Sequence, residues 1–153
     1  MKDNQNLLAK LQEYIDCFLE ADPREEFREI TAKGIAGDAT GDLTELALKY
    51  LALAIIHGVE ENARAIAVIH NGDMDGAVVM KTTEEMRLPD PPSGLARQMA
   101  DLIRCIAGLE ETTGAAEIAC GFREDRLALR VETDMVGAMK KIILFFPTIK
   151  AMR

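Results

Sequence analysis

Tryptophan is absent from this chain of 153 residues, histidine occurs twice and serine only once. Nucleophilic catalysis needs a serine, threonine or cysteine beside a positioned base, and neither histidine lies near Cys105 or Cys120 in the sequence. The single serine, Ser93, is expected to cap a helix. Glycine-rich phosphate loops of either standard spacing are absent from the sequence. The residues therefore give no support to a hydrolase or a nucleotide-binding protein, and no cofactor is expected.

Paired cysteines are absent as well. Cys17, Cys105 and Cys120 lie in three separate segments without any Cys-x-x-Cys spacing. A dispersed, odd number of thiols is typical of a reducing compartment, where cysteines pack as small hydrophobic side chains. The N-terminus has no signal-peptide apolar region, and the longest apolar run, residues 46–59, is too short to span a bilayer. We therefore expect a cytoplasmic protein with its cysteines in the core and no membrane partner.

Positive charge is scarce, with 18 Lys and Arg residues against 26 Asp and Glu residues and a formal net charge of -8. Lys140 and Lys141 are the only adjacent basic residues. Nucleic acid is not an expected partner, because neutralising phosphates requires clustered positive charge. The hydrophobic content of 48% and charged content of 29% are ordinary for a globular protein of this length. The composition predicts one acidic domain, residues 1–153, that folds alone.

Four helices are predicted from apolar residues at helical spacing. Residues 1–34 are predicted to form an N-terminal helical pair, whose second helix covers about residues 23–33 between a capping box and a glycine stop. A third helix opens at Asp42 and is apolar almost all round, which places it in the middle of the molecule. A proline linker at residues 89–92 precedes the fourth helix, with Ser93 as its N-cap.

Two β-hairpins are predicted. The clearer one shows period-2 alternation, with Ile118, Cys120, Phe122, Leu127, Leu129 and Val131 on one face. Residues 56–61 before the first predicted hairpin are echoed by residues 106–111 before the second. This echo divides the chain into two helix-hairpin units, residues 42–86 and 91–135, as an approximate αββ duplication. If the echo arises by chance, the third helix instead continues to His70.

The predicted fold class is α+β, with a small antiparallel sheet of about four strands packed against long helices. Residues 136–153 are predicted to be either helix or strand. The helical spacing of Val136, Met139 and Ile143 favours a helix, whereas residues 142–146 can also form a fifth strand. The first hairpin has an edge that a second subunit can cover, so a homodimer is the default expectation.

The turn after the first predicted strand resembles a metal-binding loop. In residues 70–76, oxygen ligands fall at alternate positions before a glycine, as at the opening of an EF-hand loop. The similarity then ends, since the twelfth position is Thr82 and an extended apolar run follows where a helix is required. A polar hairpin turn built from Asn, Gly and Asp is the ordinary interpretation. His70, Asp73 and Asp75 are nevertheless the candidate metal ligands.

A second polar group lies at the end of the third predicted helix. His57 precedes Glu60 by three residues and Glu61 by four, so the three side chains can share one helix face and a proton or metal. A lone histidine on an apolar helix is more often a core residue. The glutamates recur as Glu110 and Glu111 without a histidine, which favours solvated residues at the helix exit.

The predicted order of helix, hairpin, helix, meander and helix across residues 42–147 is similar in topology to roadblock-type regulatory domains. The similarity is most visible where Gly58-Val59-Glu60 leads into a hairpin, and it requires residues 142–146 to be a strand. Without a converging acid, base, nucleophile or phosphate loop, we expect a non-catalytic interaction or regulatory domain, whose partner is a second copy or another protein. The alternative is a metal-assisted enzyme or an ion-binding protein that uses His70, Asp73 and Asp75.

Overall fold

A computed structural model describes residues 2–20, 22, 25–29, 43–71, 75–88, 94–109, 114–122, 125–136 and 139–147. The helices are α1 (Lys2–Phe18), α2 (25–29), α3 (Leu43–Glu60) and α4 (Leu95–Ala107). The strands are β1 (Ala65–Asn71), β2 (Asp75–Lys81), β3 (Glu85–Arg87), β4 (Gly114–Phe122), β5 (Asp125–Val136) and β6 (Met139–Phe145). The predicted α+β class is confirmed, but the sheet has six strands instead of about four.

The six strands form one antiparallel sheet in the order β3-β2-β1-β6-β5-β4. Both predicted hairpins are present, as β1-β2 and as β4-β5. β6 joins them because it pairs with β5 on one side and with β1 on the other, where Val68 lies opposite Ile142. The two hairpins therefore contribute to a single continuous sheet.

The helix favoured for the C-terminal residues is wrong, because residues 139–145 are a strand. Ile142 and Leu144 face the core, while Ile143 and Phe145 occupy the opposite face of the sheet. Residues 142–145 of β6 are apolar on both faces of the sheet, so they show no alternation of apolar and polar residues. The helical spacing of Val136, Met139 and Ile143 was coincidental.

The predicted open edge of the first hairpin is also corrected. The β2 edge is covered by β3, whose Arg87 lies opposite Val79 and whose Glu85 lies opposite Lys81. All three residues of β3 are exposed. A short, exposed and mostly charged strand discourages the addition of another strand at this edge.

The helices pack on one face of the sheet, which we call the inner face. Its side chains, including Ile66, Val78 and Leu144, belong to the same buried cluster as the apolar residues of α3 and α4. The approach is close: a β-carbon added at Gly76 of β2 would lie 2.2 Å from the β-carbon of Ala96 in α4. The prediction that α3 lies in the middle of the molecule is confirmed, since residues 50–56 are all buried.

Gly58 and Gly108, which occupy equivalent positions in the similar segments 56–61 and 106–111, have different roles in the structure. Gly108 caps α4 with φ at 76°, a left-handed conformation that suits glycine. Gly58 instead lies within α3, where an added β-carbon would lie 2.5 Å from the Phe146 ring. The predicted cap at Ser93 is also corrected, because the N-cap of α4 is Gly94 and it forms no side-chain cap. Ser93 and the proline linker lie outside the described residues.

α1 contacts α3, α4 and the edge strand β4. Its buried side chains include Leu11 and Ile15. On the α3 side, Glu45 accepts a hydrogen bond from the Tyr14 hydroxyl and pairs with the Lys10 ammonium group at 3.0 Å. Of the predicted helix over residues 23–33, residues 25–29 are described and helical. Among the described helices, none is long and apolar enough to cross a bilayer.

Candidate functional site

The predicted metal-binding turn is only partly described. His70 is 3% exposed and lies on the inner face near the end of β1, opposite Gly76 on one side and Lys140 on the other. Asp75 begins β2, and Asp73 lies outside the described residues. The described part of the chain contains no group of three His, Cys, Asp or Glu side chains able to hold a metal ion. The role of His70, Asp73 and Asp75 as metal ligands therefore stays a prediction.

The structure places His57 in a different environment from Glu60 and Glu61. The His57 ring is 8% exposed and meets the Phe27 ring of α2 edge-on, with 6.3 Å between ring centroids. Glu60 and Glu61 are exposed at the end of α3. His57 is therefore buried, whereas the glutamates face solvent, and a shared role for the three side chains stays a prediction.

The cysteines differ in environment, and all three are free thiols. Cys120 is buried on β4, and this burial raises the pKa of its thiol to about 11, which keeps the thiol protonated and unreactive at neutral pH. Cys17 is exposed on α1, so the prediction that every cysteine packs in the core is wrong at this position. Cys105 is half-buried on α4.

One polar pocket, which we call the strand-end pocket, lies where β1, β5 and β6 meet α4. The register of the sheet brings its walls together, because Thr133 pairs with Ile142 while Lys140 pairs with His70. Arg104 closes the pocket from α4, where its guanidinium group also donates to Asp101 at 3.0 Å. The polar residues that line the pocket are His70, Arg104, Thr133, Asp134, Lys140 and Lys141.

The sequence did not predict this pocket, although one feature of the sequence points to it. Lys140 and Lys141 are the only adjacent basic residues of an acidic chain, and both line the pocket. Nothing in the sequence marks Thr133 as a site residue, because only the structure shows that its hydroxyl group is buried. Only the register between β5 and β6 places these residues together.

The face of the sheet opposite the helices, which we call the outer face, carries a second unusual feature. Ile69, Val79, Ile143 and Phe145 are half-buried there, and none of them packs against the hydrophobic core. They surround Ala67, which lies between Val79 and Ile143 in the register. We call these five residues the outer apolar patch.

Comparison of the chain with protein-family models and with curated proteins gave no match.

Proposed function

We propose that this chain is a non-catalytic interaction domain that forms a homodimer, and that the outer apolar patch is its contact surface. The observation that supports the proposal is that the large side chains of this patch lie outside the core cluster. Ile69, Val79, Ile143 and Phe145 gain no burial from the described helices, and a second molecule would remove them from water. Contiguous apolar patches of this kind often mark interaction sites.

The charges around the patch favour a second copy as the partner. The bordering side chains carry both signs, with basic Lys81, Arg87, Arg130 and Lys141 and acidic Glu85, Glu132 and Asp134. This border has a formal charge of +1, whereas the chain as a whole carries -8. A nearly neutral border of this kind adds little repulsion between two copies of an acidic chain.

The geometry of the patch also suits self-association. The β1 side presents small side chains at Ala65 and Ala67, and the neighbouring β6 side presents Phe145 and Ile143 at the same levels. Both alanines are buried within the protomer, so a partner would meet mainly the half-buried side chains Ile69, Val79, Ile143 and Phe145. An isologous two-fold contact would bring these side chains against their copies in the partner.

Topology supports a regulatory role by analogy. The order of α3, the β1-β2 hairpin, α4 and the β4-β5-β6 meander, with a strand at residues 139–145, meets the requirement of the resemblance to roadblock-type regulatory domains. Fold similarity alone does not identify a partner. The proposal therefore extends to self-association and leaves a further protein partner to be found by experiment.

Native mass spectrometry and light scattering test the proposal. We expect a mass of twice the 16.8 kDa protomer for the natural chain. Ile143→Glu places a charge in the centre of the patch and should give a monomer with an unchanged helical circular dichroism signal. Ala9→Glu, which adds the same charge at an exposed position of α1, is the matched control and should remain dimeric. A natural chain that stays monomeric at all concentrations, or a dimer unaffected by Ile143→Glu, would refute the proposal.

A further inference from the structure

We propose that the strand-end pocket binds a phosphate group, with one phosphate oxygen inside the pocket next to Thr133 and the remaining oxygens at its basic mouth. This inference does not rest on the proposed dimer, although Asp134 and Lys141 both border the outer apolar patch and line this end of the sheet. It rests on a buried hydroxyl group, on the local charge and on the size of the pocket.

The Thr133 hydroxyl is the first observation. Its Oγ1 atom is buried and has no hydrogen-bond partner among the residues that the structure describes. Most buried polar atoms have at least one hydrogen-bond partner, and those that have none are frequent at functional sites. A hydroxyl group can donate one hydrogen bond and accept others, so it can serve an anionic oxygen as a donor. The position therefore suits a ligand oxygen.

Charge is the second observation. Three cationic side chains, Arg104, Lys140 and Lys141, line the pocket together with one carboxylate, Asp134. Asp101 pairs with Arg104, which brings the local formal charge to +1 on a chain whose net charge is -8. A phosphate monoester carries a charge of about -1.5 to -2 at neutral pH, so this end of the sheet would attract it. Lysine is a common phosphate ligand in proteins.

Size is the third observation. The pocket has a volume of about 10 Å³, which is room for roughly one oxygen atom. The whole anion cannot be enclosed, so only one of its oxygens enters towards Thr133. Lys140 is exposed beside the pocket and can contact the outer oxygens. An ester substituent on the phosphate would then point towards solvent, which allows either free phosphate or a phosphorylated small molecule.

Isothermal titration calorimetry at constant ionic strength tests the site. One arm uses inorganic phosphate and the other uses glycerol 3-phosphate. The variants are Lys140→Gln, which removes a charge from the mouth, and Thr133→Val, which removes the hydroxyl while keeping the shape. Arg126→Gln is the matched control, because it removes one positive charge from an exposed position near the other end of β5.

We expect saturable binding that weakens about tenfold in Lys140→Gln and in Thr133→Val and is unchanged in Arg126→Gln. The ligand that binds more tightly identifies the source of the phosphate group. Thr133→Val should not lower the melting temperature of the ligand-free protein, so its loss of affinity is distinguishable from misfolding. No heat with either ligand, or equal affinities of the natural chain and Lys140→Gln, would overturn the assignment.

Discussion

The side-chain amide of Gln12 forms two hydrogen bonds with the backbone of Gly121, although the residues lie 109 positions apart. Gln12 Nε2 donates to the Gly121 carbonyl at 2.9 Å, and the Gly121 N–H donates to Gln12 Oε1 at 2.7 Å. Gly121 belongs to β4, which is an edge strand. The amide therefore pairs with the backbone as a neighbouring strand would, and it protects part of this edge from other chains.

Replacement of Gln12 tests this protection. Gln12→Ala removes both hydrogen bonds and should lower the free energy of unfolding by about 1–3 kcal/mol. Glu13→Ala, one position along α1 and exposed, should change it by less than about 0.5 kcal/mol. Urea denaturation followed by circular dichroism measures both values. Equal stabilities of the two variants would show that the amide contributes nothing to the attachment of α1.

The contact between α1 and α3 should depend on pH. The hydrogen bond from Tyr14, and then that from Lys10, lower the pKa of Glu45 below its ordinary value of 4.5, although partial burial opposes them. Because the pKa is lower in the folded protein, the carboxylate stabilises the fold fully above the unfolded pKa. This stabilisation is lost as pH falls through the lower folded value.

Glu45→Gln should therefore be less stable than the natural chain at pH 7, by about 1 kcal/mol or less for a pair near the surface. The difference between the two proteins should shrink as pH falls below 4.5, the ordinary value, and through the lower pKa of the folded protein. Thermal unfolding from pH 3 to pH 7 measures this difference. A gap between the proteins that is constant over that range would contradict the role assigned to the Glu45 carboxylate.

The close approach of β2 to α4 predicts that a larger residue at Gly76 lowers the stability of the fold. In Gly76→Ala the new β-carbon would lie 2.2 Å from that of Ala96, so a strand or a helix must shift. We expect destabilisation by about 1–3 kcal/mol, as for other overpacked cores. In the double variant Gly76→Ala, Ala96→Gly, the facing methyl group is removed. The double variant should be more stable than Gly76→Ala, despite the lower helix propensity of glycine. If it is not, the clash is absent.

The metal hypothesis for the turn at residues 70–76 has a direct test. A ligand that binds the native state must raise the melting temperature. If His70, Asp73 and Asp75 bind a cation, then excess calcium, magnesium, manganese or zinc should raise the melting temperature of the natural chain and not that of Asp73→Asn. A melting temperature unaffected by all four ions would count against the hypothesis, and it would leave the dimer proposal intact.

Local sequence patterns predicted much of the fold. The amphipathic and apolar runs gave three long helices, and the alternation of Leu127, Leu129 and Val131 with polar residues gave the half-buried β5 strand. Such patterns can be recognised in a sequence because a helix or strand with one face in the core and one in solvent repeats its apolar residues at a fixed spacing. Residues 142–145 of β6 show no such pattern, because they are apolar on both the inner and the outer face of the sheet. β3 is too short to show any period.

The candidate sites were much less predictable than the fold. Sequence reasoning selected His57 and His70 from their residue type, and the structure places both in buried positions. It could not select Thr133, since a threonine is informative only once its hydroxyl is known to be buried. The outer apolar patch could not be predicted either, because the sequence does not distinguish a half-buried isoleucine such as Ile143 from an isoleucine of the core.

The sequence by itself determined the fold class, the acidic charge, the long helices and the two hairpins, since these depend on composition and on contacts between near neighbours. The tertiary structure decided how β6 joins the hairpins into one sheet, which face of the sheet the described helices cover, and which polar residues meet at the end of the sheet. Those features depend on the pairing of strands far apart in the chain, such as β1 with β6, and no local pattern specifies such a register.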